Sequence, residues 1–500
     1  METIRDIIDN APEFSSGDKP RYQPLPLPAP AFSPPLRLKI GSDVDIAKAV
    51  ARDFKSRLGE VVFDEGGFWY FCGTHWVQIE PESELRRAVH RYDGAKYPGS
   101  DDSLLVVRLN KSRVNSVIHE MGALLYRRGF FDTPATGINC KSGFISFDFA
   151  GAPSVAPHSP EHRRRHVLPG NWPAAPSADR TSEPMINKLL DGCFKDEVDA
   201  ASKINLIGEL AGAAAIGLNT RLKKPKAIIF KGETAENGKS QILDVLRGLL
   251  PDSAVSSISP QKFSDERFII GLLNKQLNCS DELTSAAAVG SDVFKSVITG
   301  EPVSGRDVYR SMVVFRSQAL NVFATNDLPA FRGGMDRGVI RRLVVIPFLR
   351  VIPENERVEN IGQRIAKEEA DLLLDFAVKG ASRLIPRGQF EVPESCQTAL
   401  NDWCLAADPI QGWLETVETG KHFPPVRTRD AYATFKSWAI AEGYREDTLP
   451  KVHNFAQRIF AHKPEITKGK TKGFPTLKGI RIANQDLPLR GFQNIDLDDL

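Results

Sequence analysis

The sequence predicts an α/β protein organised around a phosphate-binding core, and three observations carry that prediction. A short apolar β run (Ala227, Ile228, Ile229, Phe230) leads into the loop GETAENGKS at 232–240. A helical pattern of Ile242, Leu243, Val245, Leu246, Leu249 and Leu250 follows. From 225 to 385, short β runs alternate with helical stretches, the pattern of strands and helices layered on one sheet. The chain is 500 residues long, 41% hydrophobic and 26% charged, which is ordinary for a globular protein but too long for one core.

The strand, glycine loop, Lys-Ser and helix form a device for holding nucleotide phosphates. Backbone N–H groups of the loop and helix N-terminus face the anion, Lys239 adds a point charge, and the Ser240 hydroxyl suits Mg²⁺. Gly232, Asn237, Gly238 and Gln241 complete the expected nucleotide-contacting set, with ATP and Mg²⁺ as the cofactors. The usual spacing is G-x4-G-K-[ST]. Here five residues separate Gly232 from Gly238, so Glu233 falls where the first glycine belongs and a one-residue bulge is expected.

Net charge is only +2, so any nucleic-acid surface must be local. No apolar run reaches the roughly 20 residues a membrane span needs, and METIRDIIDNAPEF lacks a secretory pattern. The six cysteines are scattered without a C-x2-C pair, which argues against zinc or a disulfide framework and for a reducing, cytoplasmic setting.

Along the chain, residues 1–40 read as a Pro-rich tether and 41–180 as an α+β domain, with Trp69, Phe71 and Trp76 as core aromatics. A helical collar is expected at 181–224, the ATPase core at 225–386, small helices and a strand pair at 394–483, and an acidic tail at 484–500. His158, His162 and His166 are spaced four apart, but Arg163, Arg164 and Arg165 lie between two of them and would repel a metal ion.

Hydrolysis needs more than a phosphate loop: an acid to anchor the metal and a group to orient the attacking water. The run ending in Asp281-Glu282 offers both, with Asp281 toward Mg²⁺ and Glu282 toward the water. The apolar run ALNVFATND ends in Asn326, at the strand edge where ligands of open α/β sheets bind. Arg341 and Arg342 precede the run LVVIPF. One of them, Arg342 by preference, is expected to reach across a subunit interface to a neighbour's nucleotide.

These elements, in this order, resemble the superfamily 3 helicases, AAA+-like hexameric ATPases of small DNA viruses, phages and plasmids. Within them the chain is most similar to the phage/plasmid primase–helicase group related to the poxvirus primase–helicase. The resemblance implies an AAA+-like P-loop core, a homo-oligomeric and hexameric ring, and a DNA-contacting hairpin at 294–318. That hairpin would present Arg306, Tyr309 and Arg310, with Lys295 and Arg316 as further contacts. It also implies a C-terminal winged-helix module. The tether stands where many members carry a primase domain, so priming is expected from a separate protein.

The last region supports DNA contact on its own terms. Residues 451–481 hold eight cations against one acid, Glu465. A helix with Val452, Phe455, Ile459 and Phe460 on its apolar side is expected to offer Lys451, Asn454 and Arg458, and a following hairpin Lys468, Lys470 and Lys472. Single-stranded and duplex DNA are the expected partners, and no membrane. The expected activity is ATP-driven unwinding during replication of a phage, prophage or plasmid in a bacterial host. The alternative is an origin-binding initiator whose ATPase switches assembly without processive unwinding.

Overall fold

The computed structural model describes residues 38–482 except 81, 102, 175–182, 218–220, 282, 284–287, 307–311, 333–334, 407 and 445. They form two compact units, one of 38–72 and 76–130, the other of 73–75 and 131–482.

In the first unit, helix Asp43–Leu58 begins at Ser42, whose hydroxyl accepts from Asp45 N. It packs on helix Lys111–Leu125 through Ile46, Val50, Phe54, Val114, Val117 and Met121. Strands Val61–Asp64, Gly67–Phe71 and Trp76–Gln78 form an antiparallel meander. Of the three expected core aromatics, Trp69 and Trp76 are buried and Phe71 is half-buried.

The second unit is mixed α/β around a parallel sheet of five strands. In chain order these are β1 (Ala227–Lys231), β2 (Val255–Ser256), β3 (Leu277–Ser280), β4 (Leu320–Thr325) and β5 (Leu343–Pro347). They lie side by side in the order β2-β3-β4-β1-β5, every pair parallel. Ala227 of β1 aligns with Asn321 of β4 and Leu343 of β5. Both faces of the sheet are covered, so β4 and β5 are buried throughout and read as unbroken apolar runs. Alternate β1 residues serve two cores: Ile228 and Phe230 pack on one face, Ala227 and Ile229 on the other.

Helix Ala200–Ile216, apolar from Leu206 except for buried Glu209, which pairs with Arg387, is buried against helix Ala370–Arg387. The crossing is close because glycines meet there: a Cβ on Gly380 would collide with the Gly208 carbonyl. Fully buried Lys203 donates to the carbonyl of Pro347 at 3.0 Å and pairs with Glu197, tying this helix to the end of β5. Among the described residues, no helix is long and apolar enough to cross a membrane.

Two expected boundaries shift. Strands Gly137–Cys140, Gly143–Phe147 and Pro153–Ala156 fall within the second unit. Ile138, Cys140, Ile145 and Leu168 join the core that holds Ile228 and Phe230, so the domain expected at 41–180 divides near residue 130. Helix Glu394–Ala406 sends Leu400 and Trp403 into the core of Ala227 and Ile229 and so belongs with the sheet. A separate C-terminal core of Ile410, Trp413, Phe435, Phe455, Ile459 and Leu477 unites helices Pro409–Glu415, Thr428–Ala441 and Val452–His462 with an antiparallel sheet. That sheet runs Val426–Arg427, Phe474–Lys478, Thr467–Thr471.

The sheet also holds a satisfied polar network. Fully buried Asn278 donates to Asn321 Oδ1 and to Ile258 O, each at 2.9 Å, and accepts from Ile258 N at 2.8 Å and Ser256 Oγ at 3.0 Å. Truncating it strands several buried partners, each costing about 1–3 kcal/mol when unpaired. Asn278→Ala is expected to lower unfolding free energy by about 2–4 kcal/mol in a denaturant titration. A change within about 0.5 kcal/mol, the range of an ordinary surface substitution, would reject this role.

Candidate nucleotide site and nucleic-acid surfaces

The phosphate-type loop lies at the C-terminal edge of the sheet, between β1 and helix Lys239–Gly248. β1 is flanked by β4 on one side and β5 on the other, so the loop sits at the point where strand order reverses. The extra residue is absorbed by two left-handed positions, Glu236 at φ 63° and Gly238 at φ 86°. Gly238 also lies against Cys193, where a Cβ would collide with the thiol; burial pushes that thiol up to about 12. Glu236 is held in its conformation from both ends: its carbonyl accepts from Ile352 N at 2.9 Å and its carboxylate pairs with Arg357.

Lys239 is buried beneath this loop, and its Nζ donates to Gly232 O at 2.8 Å and to Asn326 Oδ1 at 3.1 Å. Both partners are neutral, and burial pulls the ammonium below its ordinary range. Gly232 leaves room there for the Asn237 amide and the Lys239 ammonium, the latter 2.6 Å from where a Cβ would stand, so a side chain at 232 would push both aside. Asn237 braces the turn by donating to Thr234 O at 2.6 Å. Two residues 87 positions apart, Lys239 and Asn326, thus meet at one sheet edge. Gln241 points elsewhere: its Oε1 accepts from Gly362 N at 3.0 Å, fastening the loop helix to helix Ile361–Glu368. Ser240 is exposed in the first helical turn.

Asp281 follows β3 at the same edge, half exposed, and accepts from Arg247 Nη2 at 2.5 Å. Arg247 closes the loop helix and also bonds Asp244 at 3.1 Å and Cys279 Sγ at 3.1 Å. Glu282 lies outside the described residues, as do Tyr309 and Arg310.

Arg341 and Arg342 occupy the opposite edge. The Arg342 carbonyl accepts from Ala227 N at 2.7 Å, where β1 begins. Four rises of about 3.3 Å, roughly 13 Å, separate that edge from the loop, so both arginines lie a strand length from it. The preference for Arg342 reverses on burial: only 8% of it is exposed, and its Nη1 donates to Gly338 O at 2.7 Å. Arg341 is the exposed member of the pair.

A cavity of about 480 Å³ adjoins the loop, with Leu189, Ile352, Val358 and Ile361 as its apolar lining and an acidic side of Glu236, Glu354, Glu356 and Glu359 beside Lys188 and Arg357. Its size suits a small ligand. Gly238, also in the lining, was named from the loop motif, but sequence reasoning missed Leu189, Ile352, Arg357, Val358 and Ile361, which come from two distant segments without a motif. Arg247 had one local signal, its i, i+3 spacing from Asp244.

The DNA-facing candidates sort by their partners. Arg306 is exposed at the end of an antiparallel hairpin, Pro302–Gly305 with Val313–Arg316. Lys295 pairs with Asp292 and Asp336, and Arg316 donates to Gly300 O at 2.9 Å. In the C-terminal module, Lys451 and Asn454 are exposed, as are Lys468, Lys470 and Lys472 on the hairpin. Val452 is exposed as well, off the apolar stripe where periodicity put it. Arg458 is also displaced in role: it pairs at 2.8 Å with Asp408, a 6%-exposed carboxylate that His462 also meets at 2.6 Å. Helix periodicity alone could not show that carboxylate, because it arrives from 50 residues upstream.

Residues 230–342 match a family model described as "Family of unknown function (DUF5906)". Over 244 residues, 45% of the chain, the sequence is 24% identical to "Putative helicase L207/L206" of Acanthamoeba polyphaga mimivirus. The chain is distantly related to a protein named as a helicase. It spans about a fifth of that relative, since the match covers 22% of the mimivirus protein. Two solved apo structures of the NrS-1 C-terminal region are similar to it. The A form has a TM-score of 0.41 and 14% identity, covering 86% of this chain and 98% of that one. The A form of region 305–718 has a TM-score of 0.39 and 13% identity, covering 88% and 100%.

Proposed function

We propose that this chain is an ATP-driven DNA helicase of the superfamily 3 kind. It acts as a ring in replication of a phage, prophage or plasmid in the cytoplasm of a bacterial host. The observation that carries this reading is Lys239, buried and held between Gly232 O and Asn326 Oδ1 where the strand order of a parallel sheet reverses. The distant mimivirus relative, named as a helicase, supports the same class.

In this reading the loop amides and Lys239 bind the β- and γ-phosphates, and Asn326 is positioned through Lys239 to sense the terminal phosphate. Mg²⁺ supplies charge neutralisation between phosphates when bound. Ser240 and Asp281 offer it a hydroxyl and a carboxylate, the hard oxygen ligands it takes alongside phosphate and water. Glu282 orients the attacking water. Arg341 stabilises transition-state charge on the neighbouring protomer's nucleotide, which explains its place one strand length from its own loop. The C-terminal module acts as a winged helix, gripping DNA with Lys451, Asn454, Lys468, Lys470 and Lys472.

The exposed helix Val452–His462 also suits duplex contact by an initiator that switches assembly without unwinding. Strand displacement separates the two. A forked duplex with ATP and Mg²⁺ is expected to yield free single strand, and ATP turnover with no displaced strand would leave the initiator.

A further inference from the structure

The basic run 162–166 (His-Arg-Arg-Arg-His) has no part in the nucleotide site, nor do its histidines converge on a metal. His158 meets Asn139 Oδ1 at 2.9 Å, His162 stacks on Phe144, and His166 Nε2 meets Asn274 O at 2.8 Å. Among the described residues, no group of three or more metal-ligating side chains occurs.

The run instead lies along the N-terminal edge of the sheet, opposite the phosphate loop. Arg163 and Arg165 share a cleft with Lys275, Gln318 and Phe131, at the residues that lead into β3 and β4. The segment leading into β1 is equally basic, with Arg221, Lys223 and Lys224 exposed. Carbonyl oxygen orients three cations of this region. Arg164, 6% exposed, donates to Ile216 O at 2.9 Å, Arg221 to Pro134 O at 2.9 Å, and Lys275 to Ser253 O at 2.7 Å. Carbonyls fix a guanidinium in place without neutralising it. The crowding has a consequence: burial first, then Arg221 and Arg165, bring Arg164 down to about 9, and burial followed by Lys224 lowers Lys226. Arg165 lies 4.4 Å from the Phe131 ring centroid, a flat cation held against an aromatic face.

We propose that this edge, built on Arg163 and Arg165 and extended by Arg221, Lys223, Lys224 and Lys275, with buried Arg164 anchoring the run from beneath, is a binding surface for the phosphate backbone of DNA. From β1 across β4 to β3 is about 10 Å, two strand spacings, and that spans about three phosphates at 3.4 Å of axis each. Planar guanidinium groups suit phosphate oxygens, and an overall charge of only +2 makes this concentration of cations local. An acidic protein surface is the competing partner. The surface is separate from the C-terminal module and does not require nucleotide turnover.

The test uses the full chain carrying Arg221→Gln, Lys223→Gln and Lys224→Gln together, all exposed positions, with Arg165→Gln alone as a second variant. Binding of a labelled 30-nucleotide single strand is followed by anisotropy from 50 to 300 mM NaCl. Each lost phosphate contact lowers the slope of log K against log salt by about 0.7, so the triple variant is expected to lose about 1.4 from its slope, about two of the three contacts. Affinity is expected to fall at least about tenfold at 150 mM salt, and Arg165→Gln to lose about one contact's worth of slope. Lys468→Gln, Lys470→Gln and Lys472→Gln in one chain serve as the comparison. The proposal is overturned if both edge variants keep wild-type slope and affinity while melting normally. Changed assembly size with unchanged DNA affinity overturns it too, in favour of a protein contact. Failure of the wild-type chain to bind DNA at all also ends it, whereas ATP turnover in the same samples reports on the motor reading separately.

Discussion

Lys239→Met is expected to lower ATP turnover by about 10²–10³-fold, the loss seen when one preorganised electrostatic donor is removed from a reaction centre. The reason lies in how the ammonium is held. It is buried, its partners are the neutral oxygens of Gly232 and Asn326, and burial already lowers its proton affinity. A cation desolvated without a carboxylate gains most when a phosphate anion arrives, and the gain is largest where water is excluded. Methionine keeps much of the stem and removes the charge, so folding should survive; the two oxygens lose a donor at about 1 kcal/mol each. The measurement is phosphate release with Mg²⁺ and single-stranded DNA, beside a thermal melt. Wild-type turnover in a folded Lys239→Met protein would remove the basis of the proposed function.

Arg341→Ala is expected to reduce turnover by about 10³-fold or more in the assembled protein while leaving nucleotide binding in place. Arg342→Ala should act on stability instead, because its guanidinium is buried and bonded to Gly338 O within its own helix–strand corner. The distinction comes from the sheet. Both arginines enter β5 at the edge where β1 starts, a full strand away from Lys239, so an effect of Arg341 on hydrolysis has to act between protomers. Mixing tests this. Arg341→Ala and Lys239→Met chains are each inactive alone. Combined in equal amounts, about one interface in four pairs an intact loop with an intact arginine, so about a quarter of wild-type turnover should return. No recovery on mixing, or full activity of Arg341→Ala alone, rejects the assignment.

The legible and illegible parts of this fold differ for identifiable reasons. β1, its loop and the following helix were legible because a buried parallel strand is a continuous apolar run and Gly238-Lys239-Ser240 marks where it meets a helix N-terminus. The helices of the C-terminal module were legible from periodicity, with Phe455 and Ile459 inward as expected. Partnership was harder to read. Residues 137–168 show apolar positions such as Ile138 and Ile145, but periodicity cannot say which core receives them. Arg458 looked like a free cation because Asp408 is distant in sequence. Glu236 gave no hint of a positive φ, since its conformation is imposed by Ile352 and Arg357 from beyond the sheet.

What the sequence by itself determined is local structure: a strand, a glycine-containing turn, a lysine and serine at a helix start, and cations clustered near the chain's end. These follow from short-range sterics and hydrogen bonding, which a few adjacent residues settle among themselves. Only the tertiary structure decided which distant groups share a site. It joined Asn326 to Lys239, sent Arg341 to the far edge of the sheet, buried Arg342, and gathered the 163–165 run beside the entries to β3 and β4. Strand order and the filling of two cores set those distances, and both depend on contacts between segments far apart in sequence, such as Ala227 with Asn321 and with Leu343.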